Sequence, residues 1–298
     1  MLRVLSLFLV LMLSGVSLAE VRVAGELGDV VLPAPPERVV ALEFSFVDAL
    51  ATLGVSPVGV ADDGDATRVI DPIRAKLNEW TSLGSRSQPS LEVIASLEPD
   101  LIIADVERHA AVYEDLQRIA PTLILKSRGE TYEDNLNAVM KVAQAFGQEE
   151  AMAERIAQHN ATMDAYAAQV NSQATVQFAV SSEKGVWLHG PRAYAGGVIA
   201  RLGLNSPIPE ETEQAYIQIT LERLVQANPD YFLVGEYGDQ TAVDTYKQNP
   251  LWSVITAVKN DHYVETDPRL WSLNRGMISA EIMAAELVEM LGTSTAAQ

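Results

Sequence analysis

The chain has 298 residues, of which 48% are hydrophobic, and its formal net charge is −19 at pH 7. This acidity argues against binding to nucleic acid or to anionic membrane surfaces. The sequence contains no cysteine, which excludes disulfides and thiol chemistry. The length allows one large domain or two ordinary ones.

The first 19 residues have the pattern of a secretory signal peptide. A single positive charge at Arg3 precedes the apolar run 4–13, and the small residues near Ala19 offer a cleavage site. The apolar run is too short to cross a bilayer, and no cysteine follows it for lipid attachment. We therefore expect residues 1–19 to be removed and the mature protein to be periplasmic.

Residues 20–146 predict a first α/β lobe. Short apolar runs bounded by proline, glycine and polar turns indicate strands, and stretches of helical spacing lie between them. The alternation of strand and helix implies parallel strands. The predicted strands lie within 21–40 and at 58–60, 101–104 and 122–125; the predicted helices are 46–53, 107–119 and 131–145.

A single long helix is predicted between two halves of the chain. Residues 148–169 are rich in alanine, glutamate, glutamine and methionine, and they would form a helix roughly 33 Å long. We interpret 147–171 as a connecting segment; an ordinary surface helix is the alternative. Residues 172–292 then predict a second lobe that ends in a helix over 279–291. The tail 293–298 is predicted to be disordered.

A repeated sequence supports the two lobes. Residues 90–103 and 220–233 both place a hydroxyl residue before a short helix, a glutamate in its first turn, and Pro-Asp before an apolar strand. A looser echo links 51–57 with 200–207, and both echoes occur in the same order. The predicted fold class is α/β, with two lobes of parallel-type sheets joined by one long helix. A cleft between such lobes is a common place for a ligand.

Arginines at the ends of predicted strands indicate an anion site. Arg86, Arg108 and Arg128 lie on loops that follow successive strands, and these loops share one edge of a parallel sheet. Guanidinium groups match carboxylates with two hydrogen bonds and keep their charge. Ordinary pairing with nearby acids is the alternative, for example between Arg108 and Glu107.

The second half offers aromatic and basic residues for the other side of the cleft. Trp187 and Arg192 follow the connecting helix, and Trp271 and Arg275 precede the last helix. Trp187 is equally compatible with a packed core position. The four histidines, of which His109 follows Arg108, have none of the spacings of a zinc site, and the common motifs of hydrolases and nucleotide-binding enzymes are absent.

Glu92 and Glu222 occupy equivalent positions in the two copies of the repeat. A negative charge in the first turn of a helix is favoured by the helix dipole, which is a sufficient explanation for both. The alternative is a pair of acidic contacts, one on each lobe, that dock onto basic pockets of a symmetric partner. The residues alone leave these two interpretations open.

Several longer runs are shared with a known family. They are 39–50, 59–63, 88–92, 99–105, 108–113, 125–128 and 271–276. These runs resemble the iron–siderophore substrate-binding proteins of ABC importers, and within them the ferric-citrate binders. The resemblance covers nearly the whole mature chain, is dense from 38 to 136, and is thin from 172 to 216.

The resemblance implies a class III periplasmic binding protein, a monomer that captures Fe(III) dicitrate and delivers it to the permease of an inner-membrane ABC transporter. It implies that Glu92 and Glu222 form salt bridges with transporter arginines, that citrate holds the iron without a metal ligand from the protein, and that no cofactor is needed. The ligand-binding candidates are Phe44, Arg86, Arg108, His109, Arg128, Trp187, Arg192, Trp271 and Arg275. Two rivals stay open: another siderophore, haem or cobalamin in the same fold, and an exported metal-dependent enzyme.

Overall fold

A computed structural model describes residues 20–170 and 173–292 of the chain. The predicted signal peptide at 1–19 and the predicted tail at 293–298 lie outside these described residues. The elements of the first half are β1 (Val21–Gly25), β2 (Gly28–Leu32), β3 (Val39–Ala41), α1 (Phe44–Leu53), β4 (Gly59–Val60), α2 (Asp71–Arg74), β5 (Thr81–Ser82), β6 (Gly84–Ser85), β7 (Gln88–Pro89), α3 (Leu91–Ser96), β8 (Leu101–Asp105), α4 (Val106–His109), α5 (Tyr113–Ile119), β9 (Thr122–Leu125) and α6 (Tyr132–Ala145), with 3₁₀ turns at Ala66–Arg68 and Ala110–Val112.

The first lobe is built on a five-stranded sheet of order β5-β4-β3-β8-β9, in which all neighbouring strands are parallel. Strands β3, β8 and β9 are buried throughout, which explains their nearly continuous apolar sequences. The carboxyl ends of these strands therefore lie along one edge of the sheet, as the sequence predicts for a parallel α/β lobe.

The helix predicted over 107–119 is wrong as a single element. The structure divides this segment into α4, a 3₁₀ turn and α5. The break lies at His109, whose buried ring accepts a hydrogen bond from the backbone N–H of Asp105 and bonds the carbonyl of Arg86. These two contacts hold the side chain inside the lobe, and the helix restarts at Tyr113.

The predicted long helix is α7 (Glu149–Ala167). Its 19 residues make it about 28 Å long. It leads from the first half of the chain to the second, and it packs on α6 and on the last helix of the chain. Three of its residues, Met152, His159 and Met163, are buried in these contacts. The connector is therefore supported along its length by helices from both halves.

The second lobe contains another five-stranded sheet, but this sheet is mixed. Its order is β12-β11-β10-β13-β14; β10, β13 and β14 are parallel, and β11 runs antiparallel to both of its neighbours, β10 and β12. The elements of this half are β10 (Val176–Ser182), β11 (Gly185–His189), α8 (Tyr194–Arg201), β12 (Tyr216–Ile219), α9 (Leu221–Ala227), β13 (Tyr231–Tyr237), α10 (Ala242–Lys247), α11 (Thr256–Lys259), β14 (Tyr263–Thr266) and α12 (Met277–Gly292), with a 3₁₀ turn at Pro250–Val254 and a π-helical turn at Arg269–Leu273.

The sequence repeat corresponds to a repeated set of hydrogen bonds. In the first copy, the Asp100 carboxylate accepts from the backbone N–H of Arg38, directly before β3. In the second copy, the Asp230 carboxylate accepts from the N–H and hydroxyl of Thr175, directly before β10. The Pro-Asp aspartate thus fixes the start of the neighbouring parallel strand in each lobe.

The two lobes share one continuous apolar core beneath the cleft. It contains side chains from α1, α6, α7, α8 and α12, and a smaller separate core lies in each lobe. Shared packing of this extent favours limited movement between the lobes. Within residues 20–170 and 173–292, no helix has the length and hydropathy needed to cross a membrane.

A buried carboxylate from the first lobe meets the start of the last helix. The Asp48 side chain on α1 accepts hydrogen bonds from the backbone N–H groups of Ile278 and Ser279 and from the Ser279 hydroxyl. Gly276 precedes them with φ +149°, and a Cβ there would lie 2.2 Å from the Asp48 Cγ. Only glycine allows this close approach, which fixes the position of the neighbouring Arg275.

Candidate ligand-binding cleft

A cleft of about 550 Å³ opens between the two lobes. Four of its lining residues are arginines, and most of the others are aromatic or polar. The lining residues are Arg86, Arg108, Arg128, Val180, Trp187, His189, Tyr216, Tyr237, Ser272, Leu273 and Arg275. A larger hollow of about 700 Å³ is lined by residues between 66 and 80 of the first lobe and includes none of these arginines.

One buried carboxylate fixes the conformation of two loops that carry arginines. Asp105 ends β8, and its side chain accepts hydrogen bonds from the backbone N–H groups of Arg108, Ser127 and Arg128. These bonds fix the turns that follow β8 and β9, so the Arg108 and Arg128 side chains leave adjacent strands toward the same opening. The structure therefore brings together the arginines that the strand-end argument singled out.

Arg86 lies at the floor of the cleft and is almost fully paired. Its Nε and Nη2 contact the Asp63 carboxylate at 3.0 and 2.9 Å, and its Nη1 lies 3.4 Å from Glu43. The guanidinium also stacks over the Phe44 ring at 4.3 Å. Burial lowers the pKa of Arg86, and the charges of Glu43 and Asp63 oppose that effect.

Arg275 reaches from the second half of the chain into acids of the first lobe. Its Nε donates to Glu130 at 2.8 Å, and its Nη2 donates to the Ser127 hydroxyl at 2.8 Å. Burial raises the pKa of Glu130 to about 8, whereas the Arg275 charge favours its ionised form. Burial also opposes the charge on Arg275, but Glu130 and Glu43 hold its pKa above the ordinary arginine value.

Arg128 differs from these two because it lies at the mouth of the cleft. Its side chain is 44% exposed, and its Nε lies 3.0 Å from Glu107, which is itself exposed. A solvated pair of this kind contributes little to folding stability. The guanidinium is therefore free to exchange Glu107 for another carboxylate.

The remaining candidates divide into cleft and core positions. Trp187 and its neighbour His189 line the cleft on β11. Trp271 is buried instead, donates its Nε1–H to Glu286 at 2.7 Å, and packs against Phe178. Phe44 and His109 are buried beneath Arg86, and the exposed Arg192 is not among the lining residues.

His189 is buried among aromatic rings and lies close to Arg275. Its ring meets Phe178 at 4.7 Å and Tyr216 at 4.9 Å, both edge-on. Burial, together with the Arg275 charge, lowers the pKa of His189 to about 3. The imidazole is therefore neutral at physiological pH and adds a polar, uncharged wall to the cleft.

Glu92 and Glu222 are exposed on the first turns of α3 and α9. Ser90 caps α3 by accepting from the Val93 N–H at 3.3 Å. The Glu222 carboxylate accepts from its own backbone N–H and from Thr220, and these bonds lower its pKa. Both side chains are therefore open to contact from outside, one on each lobe.

Comparison with known proteins decides the family. The periplasmic binding protein family matches residues 39–270. The chain belongs to this family. Two relatives confirm the resemblance to the ferric-citrate branch. The Fe(3+) dicitrate-binding periplasmic protein FecB of Escherichia coli K12 is 42% identical over 90% of this chain and 89% of its own length. The Fe(3+)-citrate-binding protein YfmC of Bacillus subtilis 168 is 35% identical over 89% of this chain and 84% of its own.

Solved structures confirm the class III architecture of this periplasmic binding protein. Staphylococcus aureus SirA, complexed with staphyloferrin B, superposes with a TM-score of 0.79 at 21% identity, over 91% of this chain and 98% of its own. The Bacillus subtilis petrobactin-binding protein YclQ gives a TM-score of 0.77 at 21% identity, over 92% and 99%. The two sheets and the long helix between them match the expected fold class.

Some residues of the cleft in this periplasmic binding protein were not found from the sequence. Tyr237 ends β13, so the strand-end argument that selected the arginines also applies to it. Glu43, which is buried behind the arginines of the cleft, follows β3 in the same way, but a search for positive charge does not select it. His189 and Tyr216 face each other across antiparallel strands, a register that the sequence pattern alone does not reveal.

Proposed function

We propose that this chain is the substrate-binding protein of an ABC importer and that it binds ferric citrate in the cleft between its lobes. The observation that carries the proposal is the convergence of four arginines on one cleft in a chain of net charge −19. The relatives named for Fe(3+) dicitrate and Fe(3+)-citrate binding, at 42% and 35% identity, support this choice of ligand.

The chemistry of the cleft suits an anionic chelate better than a bare cation. Guanidinium groups repel a free metal ion but bind carboxylates with paired, charge-assisted hydrogen bonds. In this proposal citrate holds the iron, the protein supplies no metal ligand and needs no cofactor, and the chelate presents its outer carboxylates to Arg108, Arg128 and Arg275. The Trp187 ring covers an apolar edge of the chelate on the opposite wall.

We infer a binding protein and not an enzyme, and a monomer that is exported by the segment 1–19 and works in the periplasm. The exposed Glu92 and Glu222, one on each lobe, are proposed to dock onto arginines of an inner-membrane permease. Their exposure and their equivalent positions in the two repeats support this role. Size-exclusion chromatography with light scattering tests the monomer.

Calorimetric titration of the mature protein tests the ligand. We expect saturable binding of ferric citrate with a Kd of low micromolar or below, and at least tenfold weaker binding of a neutral ferric hydroxamate. Iron-free citrate serves as the control for the carboxylates alone. Absence of binding by ferric citrate, together with tight binding of the hydroxamate chelate, would overturn the assignment of the ligand.

A further inference from the structure

One fully buried carboxylate lies beneath the arginines of the cleft. Glu43 follows β3, the central strand of the first sheet, and its side chain has no exposed surface. It contacts three guanidiniums: the Arg108 Nε on Oε1, and the Arg86 Nη1 and Arg275 Nη2 on Oε2, the last two each at 3.4 Å. Glu43 is thus the common partner of arginines from both halves of the chain.

The contacts of Glu43 leave the outer nitrogens of two arginines open. Arg108 meets Glu43 through its inner Nε, and within the described residues its Nη1 and Nη2 donate no hydrogen bond to the protein. Arg275 uses Nε and Nη2 for Glu130, Ser127 and Glu43, and its Nη1 is likewise without a partner in the described part of the chain. Both side chains line the cleft. The paired edges face the protein, so the open edges are the ones that a ligand can reach.

Arg86 has a different part in this arrangement. Asp63 holds two of its nitrogens, Glu43 the third, and the Phe44 ring its face. Its side chain is only 8% exposed. Arg86 therefore serves as a fixed neighbour that restrains Glu43 and supplies positive charge at the floor of the cleft.

We propose that Glu43 is the positioning residue that aligns Arg108 and Arg275 for a carboxylate-rich iron chelate. The inference rests on the proposed function and adds a determinant of specificity to it. Without the Glu43 carboxylate, three close guanidiniums repel each other, and Arg108 loses its only ion pair among the described residues. Glu43 thus makes binding of an anion stronger although it carries a negative charge itself.

Loss of the negative charge of Glu43 would strengthen the binding of an anion, whereas loss of the alignment of the arginines would weaken it, so one substitution tests the inference. Glu43→Gln preserves the shape of the side chain but removes its charge. If Glu43 acts only as a counter-charge, the more positive cleft of the variant binds ferric citrate more tightly. If Glu43 aligns the arginines, calorimetry of the mature protein shows at least a tenfold weaker binding of ferric citrate.

A double-mutant cycle separates alignment from a general structural role. We expect Glu43→Gln to cost clearly less affinity in an Arg108→Gln background than in the wild type, because one of the two arginines that it aligns is absent and only Arg275 remains. In an Arg128→Gln background the full cost of at least tenfold remains, since Arg128 makes no contact with Glu43. Equal costs in both backgrounds would overturn the inference.

A second variant covers the case in which Glu43→Gln does not fold. Arg108→Lys keeps the positive charge but loses the guanidinium Nε that contacts Glu43. We expect at least tenfold weaker binding of ferric citrate, and affinity equal to the wild type would refute the alignment. If the wild type binds no ferric citrate, the proposed function falls first; if it binds and Glu43→Gln binds as tightly or more tightly, only the role of Glu43 falls.

Discussion

Arg128 offers a way to weaken the ligand without weakening the fold. It is 44% exposed and its ion pair with Glu107 is solvated, so Arg128→Gln changes the free energy of unfolding by about 1 kcal/mol or less. A hydrogen bond to a charged ligand group contributes about 1.5–3 kcal/mol. Since about 1.4 kcal/mol corresponds to a tenfold change in Kd, the variant is expected to bind ferric citrate about 10- to 100-fold less tightly.

Calorimetry of the variant beside a matched control is the assay. Arg192→Gln removes the same charge from an exposed loop of the second lobe, and Arg192 does not line the cleft. We expect the control to bind as tightly as the wild type and both variants to unfold at the wild-type temperature. The double variant Arg108→Gln, Arg128→Gln should bind ferric citrate at least 100-fold less tightly. The two side chains pair with different acids, so we expect the losses in binding free energy to add.

The result that refutes this reasoning is a similar small effect of Arg128→Gln and Arg192→Gln. That outcome would mean that Arg128 makes no direct contact with the ligand and that each arginine affects binding only through the net charge of the protein. A large loss in thermal stability of Arg128→Gln would contradict the treatment of its ion pair as solvated.

Three further predictions follow from the buried and exposed acids and from the cleft tryptophan. Burial raises the pKa of Asp48 to about 7, whereas the unfolded value is near 4, so the free energy of unfolding falls as pH rises from about 4 to 7, by up to about 4 kcal/mol. Asp48→Asn should remove this fall, which urea unfolding at pH 4 and pH 8 measures. The same pH dependence in the variant and the wild type would contradict this prediction. Trp187→Phe should abolish most fluorescence quenching by ferric citrate, while Trp252→Phe, in the core, should retain it. Glu92→Lys with Glu222→Lys should stop iron-citrate uptake with unchanged ligand affinity, while Glu150→Lys should not; a loss of affinity would refute docking.

The architecture could be predicted from the sequence because local patterns dominate it. The largely apolar segments 101–104 and 122–125 become buried parallel strands, and the repeat at 90–103 and 220–233 marks equivalent units in the two lobes. The long helix follows from a run of strong helix formers. The antiparallel pairing of β11 and β12 was missed, since a short apolar run does not reveal which neighbour it pairs with.

The cleft could be predicted only in part because burial and pairing depend on distant residues. The strand-end argument selects Arg86, Arg108 and Arg128, which the structure places at one opening. It does not show that Arg86 is paired with Asp63 and Glu43, whereas Arg128 stays exposed and can bind a ligand. These differences arise from ion pairs between residues 20 or more positions apart, which no local pattern encodes.

The burial of the two candidate tryptophans likewise depends on distant residues. Trp187 and Trp271 both precede an arginine by four or five residues. On sequence grounds Trp271 is the better cover for a ligand, because it lies in a polar stretch, whereas Trp187 is equally compatible with the core. In the fold, Trp187 lies on β11 with its ring toward the cleft lining, whereas the ring of Trp271 turns inward to Glu286. Trp271 lies within the π-helical turn at Arg269–Leu273, where it is buried.

The most direct test of the central claim is a crystal structure of the mature protein grown with ferric citrate, with data collected at the iron absorption edge. The account predicts one anomalous peak in the cleft, with citrate oxygens alone coordinating the iron and outer carboxylates bonded to Arg108, Arg128 and Arg275. An iron peak outside the cleft, or a protein side chain in the coordination sphere of the iron, would contradict it.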